Sequence, residues 1–284
     1  MIQTVYIIGV GLIGGSLAID IKKQRPDIII YGIDNNAHHI NEALERGIID
    51  KKASIEAIEK ADLVILATPV DTAVMLLPML LDRISDFGLI VDVGSTKSSI
   101  CKIVASHSKR RNFLAIHPIA GTEFSGPKAA VPNLFHQKTT IICEIEKTAA
   151  TLQEKALNLF ATIGMRVRYM HPESHDKHIA YMSHLSHISA FMLGKTVIEK
   201  EKNERDIFDM AGSGFESTVR LAKSSPAMWT PIFKQNKDNV IDTLHDYISN
   251  LSRFKSLLEN DDFDGIYKEM DETNYIKTIL SGIQ

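Results

Sequence analysis

The segment Gly9-Val10-Gly11-Leu12-Ile13-Gly14 lies between the apolar run Val5-Tyr6-Ile7-Ile8 and a helix pattern that extends from Ile13 to about Lys23. A strand that ends in three spaced glycines and passes directly into a helix has few solutions. One glycine permits the tight turn, the second lets backbone approach a pyrophosphate, and the third lets helix and strand pack closely. The helix N-terminus then faces the phosphates. Gly9, Gly11 and Gly14 take these roles, with Leu12 and Ile13 opening the helix.

The chain continues in the same rhythm. Ile28–Ile33 is a second apolar run, and Asn36–Arg46 reads as a helix stopped by Gly47. Leu63–Ala67 and Leu89–Val93 read as further strands. These runs are apolar throughout rather than alternating, as expected of parallel strands covered on both faces. Strand–helix alternation of this kind predicts an α/β doubly wound sheet of Rossmann type. Phe113–Ile116, Thr139–Cys143 and Arg166–Tyr169 read as later strands, and Thr151–Thr162 as a later helix.

The pattern changes near His171-Pro172, and no strand is expected beyond it. Ser174 to about Glu201 reads as one long helix. Asp206–Lys223 is a second helical region, broken at Gly212-Ser213-Gly214, and Met228 to about Glu259 a third. In the third, Val240, Leu244, Ile248, Leu251, Phe254 and Leu258 form an apolar stripe at spacings of three and four. It packs inside the chain or against a second copy. The expected organisation is a dinucleotide-binding domain over 1–170 and an all-α domain over 171–284, which serves substrate binding if the chain is an enzyme and dimerisation if the stripe meets a second copy.

Asp34 follows Gly14 by twenty residues, at the end of the second strand. A carboxylate there accepts from a ribose 2′-hydroxyl and repels a 2′-phosphate, and Asn35 and Asn36 follow it rather than arginine. NAD is therefore expected over NADP. Thr68-Pro69 closes the next strand, at an edge that passes near the nicotinamide end; an ordinary turn is the other reading. A net charge of −3 argues against nucleic acid or an anionic membrane as partner. The apolar runs are too short to span a bilayer. Met1 runs directly into the first strand, so no signal peptide is expected, and two cysteines suggest reduced thiols in a cytoplasmic protein.

Two further segments carry chemistry. Asp92-Val93-Gly94-Ser95-Thr96-Lys97 ends a strand, where open α/β sheets bind ligands. Ser95 is either a reaction-site hydroxyl or the N-cap of a helix beginning near Ser98. His117 opens a glycine-rich loop directly after a strand, and its imidazole suits proton exchange near neutrality. A structural histidine is the plainer alternative. His175, His178, His184 and His187 share one predicted helix. At about 100° per residue His184 and His187 lie about 60° apart, with His175 and His178 pointing nearly the opposite way. The four therefore form no single metal site, and no metal is expected.

Taken in order, Gly9–Ser16, Asp92–Lys97, His117–Gly126, Ser183–His187 and Gly214–Trp229 resemble the prephenate dehydrogenase family of tyrosine biosynthesis over nearly the whole chain. The resemblance implies NAD(P)-dependent oxidative decarboxylation of prephenate to 4-hydroxyphenylpyruvate. It implies that His117 accepts the ring hydroxyl proton as hydride leaves, and that Ser95 orients His117 or that hydroxyl. Arg220 would hold a substrate carboxylate through its two-pronged guanidinium. Thr122 would line the site and His187 would meet the substrate side chain. Tyrosine, which resembles the product, is an expected feedback inhibitor. Family members carrying a fused mutase or regulatory domain are longer than this chain allows. The competing expectations are arogenate dehydrogenase, a β-hydroxyacid-type dehydrogenase using Lys195, and a non-catalytic NAD-binding redox sensor.

Overall fold

The computed structural model describes residues 2–202 and 206–281. Eight strands form one sheet: β1 (Thr4–Ile8), β2 (Ile29–Ile33), β3 (Lys51–Lys52), β4 (Leu63–Leu66), β5 (Leu89–Asp92), β6 (Phe113–Pro118), β7 (Thr139–Cys143) and β8 (Arg166–Met170). Their order is β3-β2-β1-β4-β5-β6-β7-β8. All neighbours are parallel except β6 and β7, so β7 and β8 run against the rest. The order reverses at β1, which pairs with both β2 and β4. Ligand crevices of open α/β sheets lie at such a switch point, beyond the strand carboxyl ends.

The continuous apolar strands are covered on both faces. One core joins β1 residues Val5 and Ile7 to Leu17 and Ile21 of α1 (Leu12–Gln24) and Leu159 and Phe160 of α5 (Ala150–Ile163). The other joins Tyr6 and Ile8 to Leu77 and Leu80 of α3 (Val70–Arg83). Helix α2 (Ala37–Glu45) is capped by the Asn36 side chain, which accepts from the His38 N–H. Sequence reading did not anticipate α3, which carries Pro78 in its interior, nor the two exposed lysines of β3. Helix α4 (Ser98–Ile103) is short. Its N-cap is Lys97, which corrects the reading of Ser95 as that cap. Cys101 and Cys143 are buried free thiols, and burial pushes Cys143 up to about 12.

Among the described residues no strand follows Met170. Helix α6 (Pro172–Ile179), a π-helical turn (Ala180–His184) and α7 (Leu185–Glu201) replace the single regular helix expected there. Helix α8 (Ser213–Val219) begins at the Gly212 break. The expected helix from Met228 to Glu259 is instead two, α9 (Pro226–Gln235) and α10 (Lys237–Glu259), interrupted at Asn236. The Asn236 side chain donates to the Asp176 carbonyl at 2.7 Å, so its residue serves the site rather than a continuous helix. Helices α11 (Phe263–Thr273) and α12 (Ile276–Ser281) follow.

The chain divides into two compact units, Met1–Lys237 and Asp238–Gln284. In the first, α9 packs Trp229 and Ile232 against Val70 of α3. In the second, Ile241, Ile248, Leu251, Phe254 and Leu258 are exposed on α10. Among the described residues no helix is long and apolar enough to cross a membrane.

Candidate active site

The glycine turn takes the form its spacing predicts. Gly9 has φ +94°, and a Cβ there would lie 2.5 Å from the Ala67 carbonyl oxygen. A Cβ on Gly14 would lie 2.1 Å from the Gly9 oxygen. These two glycines are required by close packing. Gly11 differs: its nearest neighbour would be the Gly126 nitrogen at 3.9 Å. Space is open at the N-terminus of α1, where Gly11 caps Leu12 and Ile13 without any side-chain bond. That leaves helix N–H groups to meet an anion.

Asp34, at the carboxyl end of β2, accepts from the Val10 N–H at 3.1 Å and the Asn36 N–H at 2.9 Å. It thus ties the glycine turn to the start of α2. His39 Nδ1 lies 3.5 Å from the same carboxylate. Beyond β4, the Thr68 Oγ1 is buried without a partner, and Pro69 caps α3. The open cradle at Gly11, the oriented Asp34 and the orphaned Thr68 hydroxyl fit a dinucleotide.

The loop after His117 runs from the end of β6 to α1. Its far end is fixed to α1: the Val131 N–H donates to Ser16 Oγ at 3.0 Å and the Asn133 N–H to Asp20 Oδ1 at 2.7 Å. Burial raises the Asp20 carboxyl above its usual range, and its second oxygen is unpartnered. Thr122, Glu123, Phe124, Lys128 and Lys223 line an open cavity of about 670 Å³. Arg220, in the turn following α8, donates from Nη1 to Glu123 Oε2 at 2.8 Å. Arg220 and Thr122 are therefore brought to one rim.

His117 sits near the carboxyl end of β6, partly buried. Its Nδ1 is 2.8 Å from Nε2 of His175, whose Nδ1 is 2.8 Å from Asp176 Oδ1. Asp176 accepts the N–H of Lys97 and of Ser98, each at 2.8 Å. Fully buried Lys97 pairs its amine with Asp92 and donates to the Ile116 carbonyl at 2.7 Å. Burial drives His117 well below the usual histidine range, and the neighbouring His175, Lys97 and His184 disfavour its charged form further. A neutral imidazole results, which accepts a proton. Burial also lowers His175, against the pull of Asp176. Burial would raise Asp176, but its bonds from His175, Ser98 and Lys97 hold it below the carboxylate range. Ser95 lies half-buried at the start of this segment.

His187 packs its ring on Trp229 with centroids 3.7 Å apart and donates from Nδ1 to the Ser183 carbonyl. Arg220 is close enough to depress it further after burial. His184 is completely buried, contacts Asn236 at 3.2 Å and is pushed down to about 4 by burial.

The expected opposition of His175 to His184 and His187 does not hold. Nine residues of regular helix would place His175 and His184 about 180° apart. The π turn absorbs one extra residue and brings the separation to about 80°, and that of His175 and His187 to about 20°. Asn236 accordingly reaches both the Asp176 carbonyl and the His184 ring. Sequence reasoning missed His175, Asp176 and Asn236 as site residues. The His-Asp doublet just inside a proline-started helix was the available signal. Lys195, on which the β-hydroxyacid reading leaned, is exposed and lies 3.7 Å from Glu199.

The switch-point crevice and its glycine turn define a nucleotide-binding protein of Rossmann type. Comparison with known proteins narrows the class. Residues 17–169 match the family model of the prephenate dehydrogenase nucleotide-binding domain, and 171–272 that of its dimerization domain. The chain is 35% identical to prephenate dehydrogenase of Bacillus subtilis over 94% of its own length and 73% of that protein's. It is 28% identical to cyclohexadienyl dehydrogenase of Zymomonas mobilis, covering 97% and 95%. Among solved structures, prephenate dehydrogenase from A. aeolicus in complex with hydroxyphenyl propionate and NAD+ superposes with TM-score 0.89 at 32% identity, covering 99% of both chains. The chain belongs to the prephenate dehydrogenase family.

Proposed function

We propose that this chain carries out the NAD-dependent oxidative decarboxylation of prephenate to 4-hydroxyphenylpyruvate. The observation that carries the reading is His117, a neutral imidazole at the same carboxyl edge of the sheet as the glycine turn and Asp34. Gly9, Gly11, Gly14, Leu12 and Ile13 would hold the pyrophosphate, Asp34 the adenosine ribose, and Thr68 and Pro69 the approach to the nicotinamide. The bound dinucleotide supplies a hydride acceptor.

His117 accepts the proton of the ring hydroxyl while hydride departs from the same carbon. The bond to the ring carboxylate then breaks, CO₂ leaves, and its electron pair aromatises the ring. The phenolic oxygen recovers the proton from His117, so the protein is unchanged. Ser95 orients the hydroxyl. Arg220 exchanges its bond to Glu123 for a substrate carboxylate, beside Thr122. His187 faces the pyruvyl end from its shelf on Trp229. Arogenate, with an amine in place of the keto group, is the second substrate reading, supported by 24% identity to a probable arogenate/prephenate dehydrogenase of Methanocaldococcus jannaschii.

The 1–170 part would serve the cofactor and 171–284 the substrate and a homodimer, in a cytoplasmic enzyme. The exposed apolar side chains of α10 support dimerisation. Tyrosine would compete at the prephenate site.

NADH formation by the purified protein, with NAD and either prephenate or arogenate, tests the reading. Turnover of prephenate supports it, and turnover of arogenate alone transfers it to the second substrate. Silence with both, despite NAD binding, rejects it. Tyrosine without effect on the KM for prephenate removes the inhibitor, and a monomeric mass at micromolar concentration removes the dimer.

A further inference from the structure

We infer that His175 and Asp176 are positioning residues that fix the tautomer of His117, leaving its Nε2 as the bare acceptor toward the substrate. The inference rests on the reading of His117 as the base. Both oxygens of Asp176 are occupied by donors: Oδ1 takes the Lys97 N–H, Oδ2 takes the Ser98 N–H, and Oδ1 also lies 2.8 Å from His175 Nδ1. An ionised carboxylate only accepts, so His175 carries its hydrogen on Nδ1. A neutral His175 then presents a lone pair at Nε2. At 2.8 Å from His117 Nδ1, that lone pair needs a donor. His117 must supply it, and its own Nε2 is left without hydrogen.

The opposite arrangement requires a doubly protonated His175 donating to His117. His175 is 2% exposed, and burial together with the Lys97 ammonium opposes that charge. Geometry and electrostatics therefore select one tautomer. When the substrate proton reaches Nε2, His117 becomes a cation whose Nδ1–H still points through His175 to the Asp176 anion. An anion at the end of such a chain orients the base and stabilises its charged form without itself taking the proton. Each partner is anchored through its backbone: Asn236 holds the Asp176 carbonyl at 2.7 Å, and Lys97 holds the Ile116 carbonyl at 2.7 Å.

The groups facing His117 are His175 and Asp176 of α6, Asp92 at the end of β5, Lys97 beyond it, and His184 of the π turn. Three variants of the full chain separate the roles. His117→Asn tests the base. His175→Leu removes the acceptor for Nδ1–H, and His175→Gln restores an acceptor oxygen there. The expected result is a fall of about 10³-fold or more in kcat for His175→Leu, with KM for prephenate and Kd for NAD within about threefold. The acid limb of kcat/KM would move, and His175→Gln would regain at least about tenfold. Independently, 15N NMR of imidazole-labelled wild type, with His117 assigned by its loss in His117→Asn, should show a protonated Nδ1 and an unprotonated Nε2. This measurement also decides the matter should His175→Leu fail to fold.

Turnover and pH profile unchanged in His175→Leu would overturn the inference, as would a protonated Nε2 in the wild type. If His117→Asn is inactive while His175→Leu is normal, only this inference falls. If His117→Asn retains turnover, the base assignment falls with it.

Discussion

The amine of Lys97 donates to the carbonyl oxygen of Ile116 across 2.7 Å, so the residue preceding His117 is held by a fully buried cation. The same amine pairs with Asp92, whose other oxygen accepts the Gly94 N–H at 3.0 Å. Two adjacent strand ends, β5 and β6, are thereby locked together at the point where the proposed base leaves the sheet.

Lys97→Met strands the Asp92 carboxylate in the core. Removing one partner of a buried pair costs about 3–5 kcal/mol, so a marked fall in unfolding free energy is expected in urea titration. Asp92→Asn in the Lys97→Met background removes the stranded charge and keeps an acceptor for Gly94. It should recover part of the loss; no recovery would mean that the carbonyl bond, not the charge pair, carries the stability.

Two glycines of one motif should respond differently. Gly14→Ala places a Cβ 2.1 Å from the Gly9 oxygen and should destabilise the fold by about 1–3 kcal/mol. Gly11→Ala meets nothing closer than 3.9 Å and should leave the melting temperature within a degree or two of wild type. Its effect falls on NAD affinity, measured by fluorescence quenching. Equal thermal losses in both variants would contradict the open cradle at Gly11.

Stability should fall in mild acid. His184 is held at about 4 by burial, below its unfolded value of 6.5. Between these values the unfolded chain binds the proton and the folded one does not. Its contribution is complete above pH 6.5 and is lost as pH falls toward 4, by up to about 1.4 kcal/mol per pH unit. Urea midpoints at pH 7.5 and 5.0 read this, and His184→Gln should flatten the dependence. An unchanged slope in that variant would remove His184 as its source.

Arg220→Ala should raise KM for prephenate about 10- to 100-fold, the range expected for loss of a charged hydrogen bond to substrate. A fall confined to kcat would instead give Arg220 a part in the chemical step. Glu123 accepts from the same guanidinium at 2.8 Å, so Glu123→Gln should alter KM in the opposite sense or leave it unchanged.

The sheet was legible because its information is local. Val5–Ile8, Leu63–Leu66 and Leu89–Asp92 are unbroken apolar runs, and glycine placement identifies the turn after β1. Single candidate residues could be picked out by the same means: Asp34 by its distance from Gly14, and His117 by its place after a strand. The relations among them were not. His175 and Asp176 meet His117 and Lys97 across about 58 and 79 residues of chain. The expectation that His175 pointed away from His184 failed because projection onto a regular helix assumes a constant angular step. Asn236 was read as helix interior because nothing local shows that its amide is needed elsewhere.

The π turn at Ala180–His184 sets the angular phase of α7 relative to α6. The end of this helical stretch that carries His175 and the end that carries His187 are therefore mechanically separable. A one-residue insertion or deletion within that turn would rotate His187 by about 100° while His175 kept its place. The proposed recognition of the substrate's far end would thus be adjustable by chain length alone, with the proposed proton-handling end left as it stands.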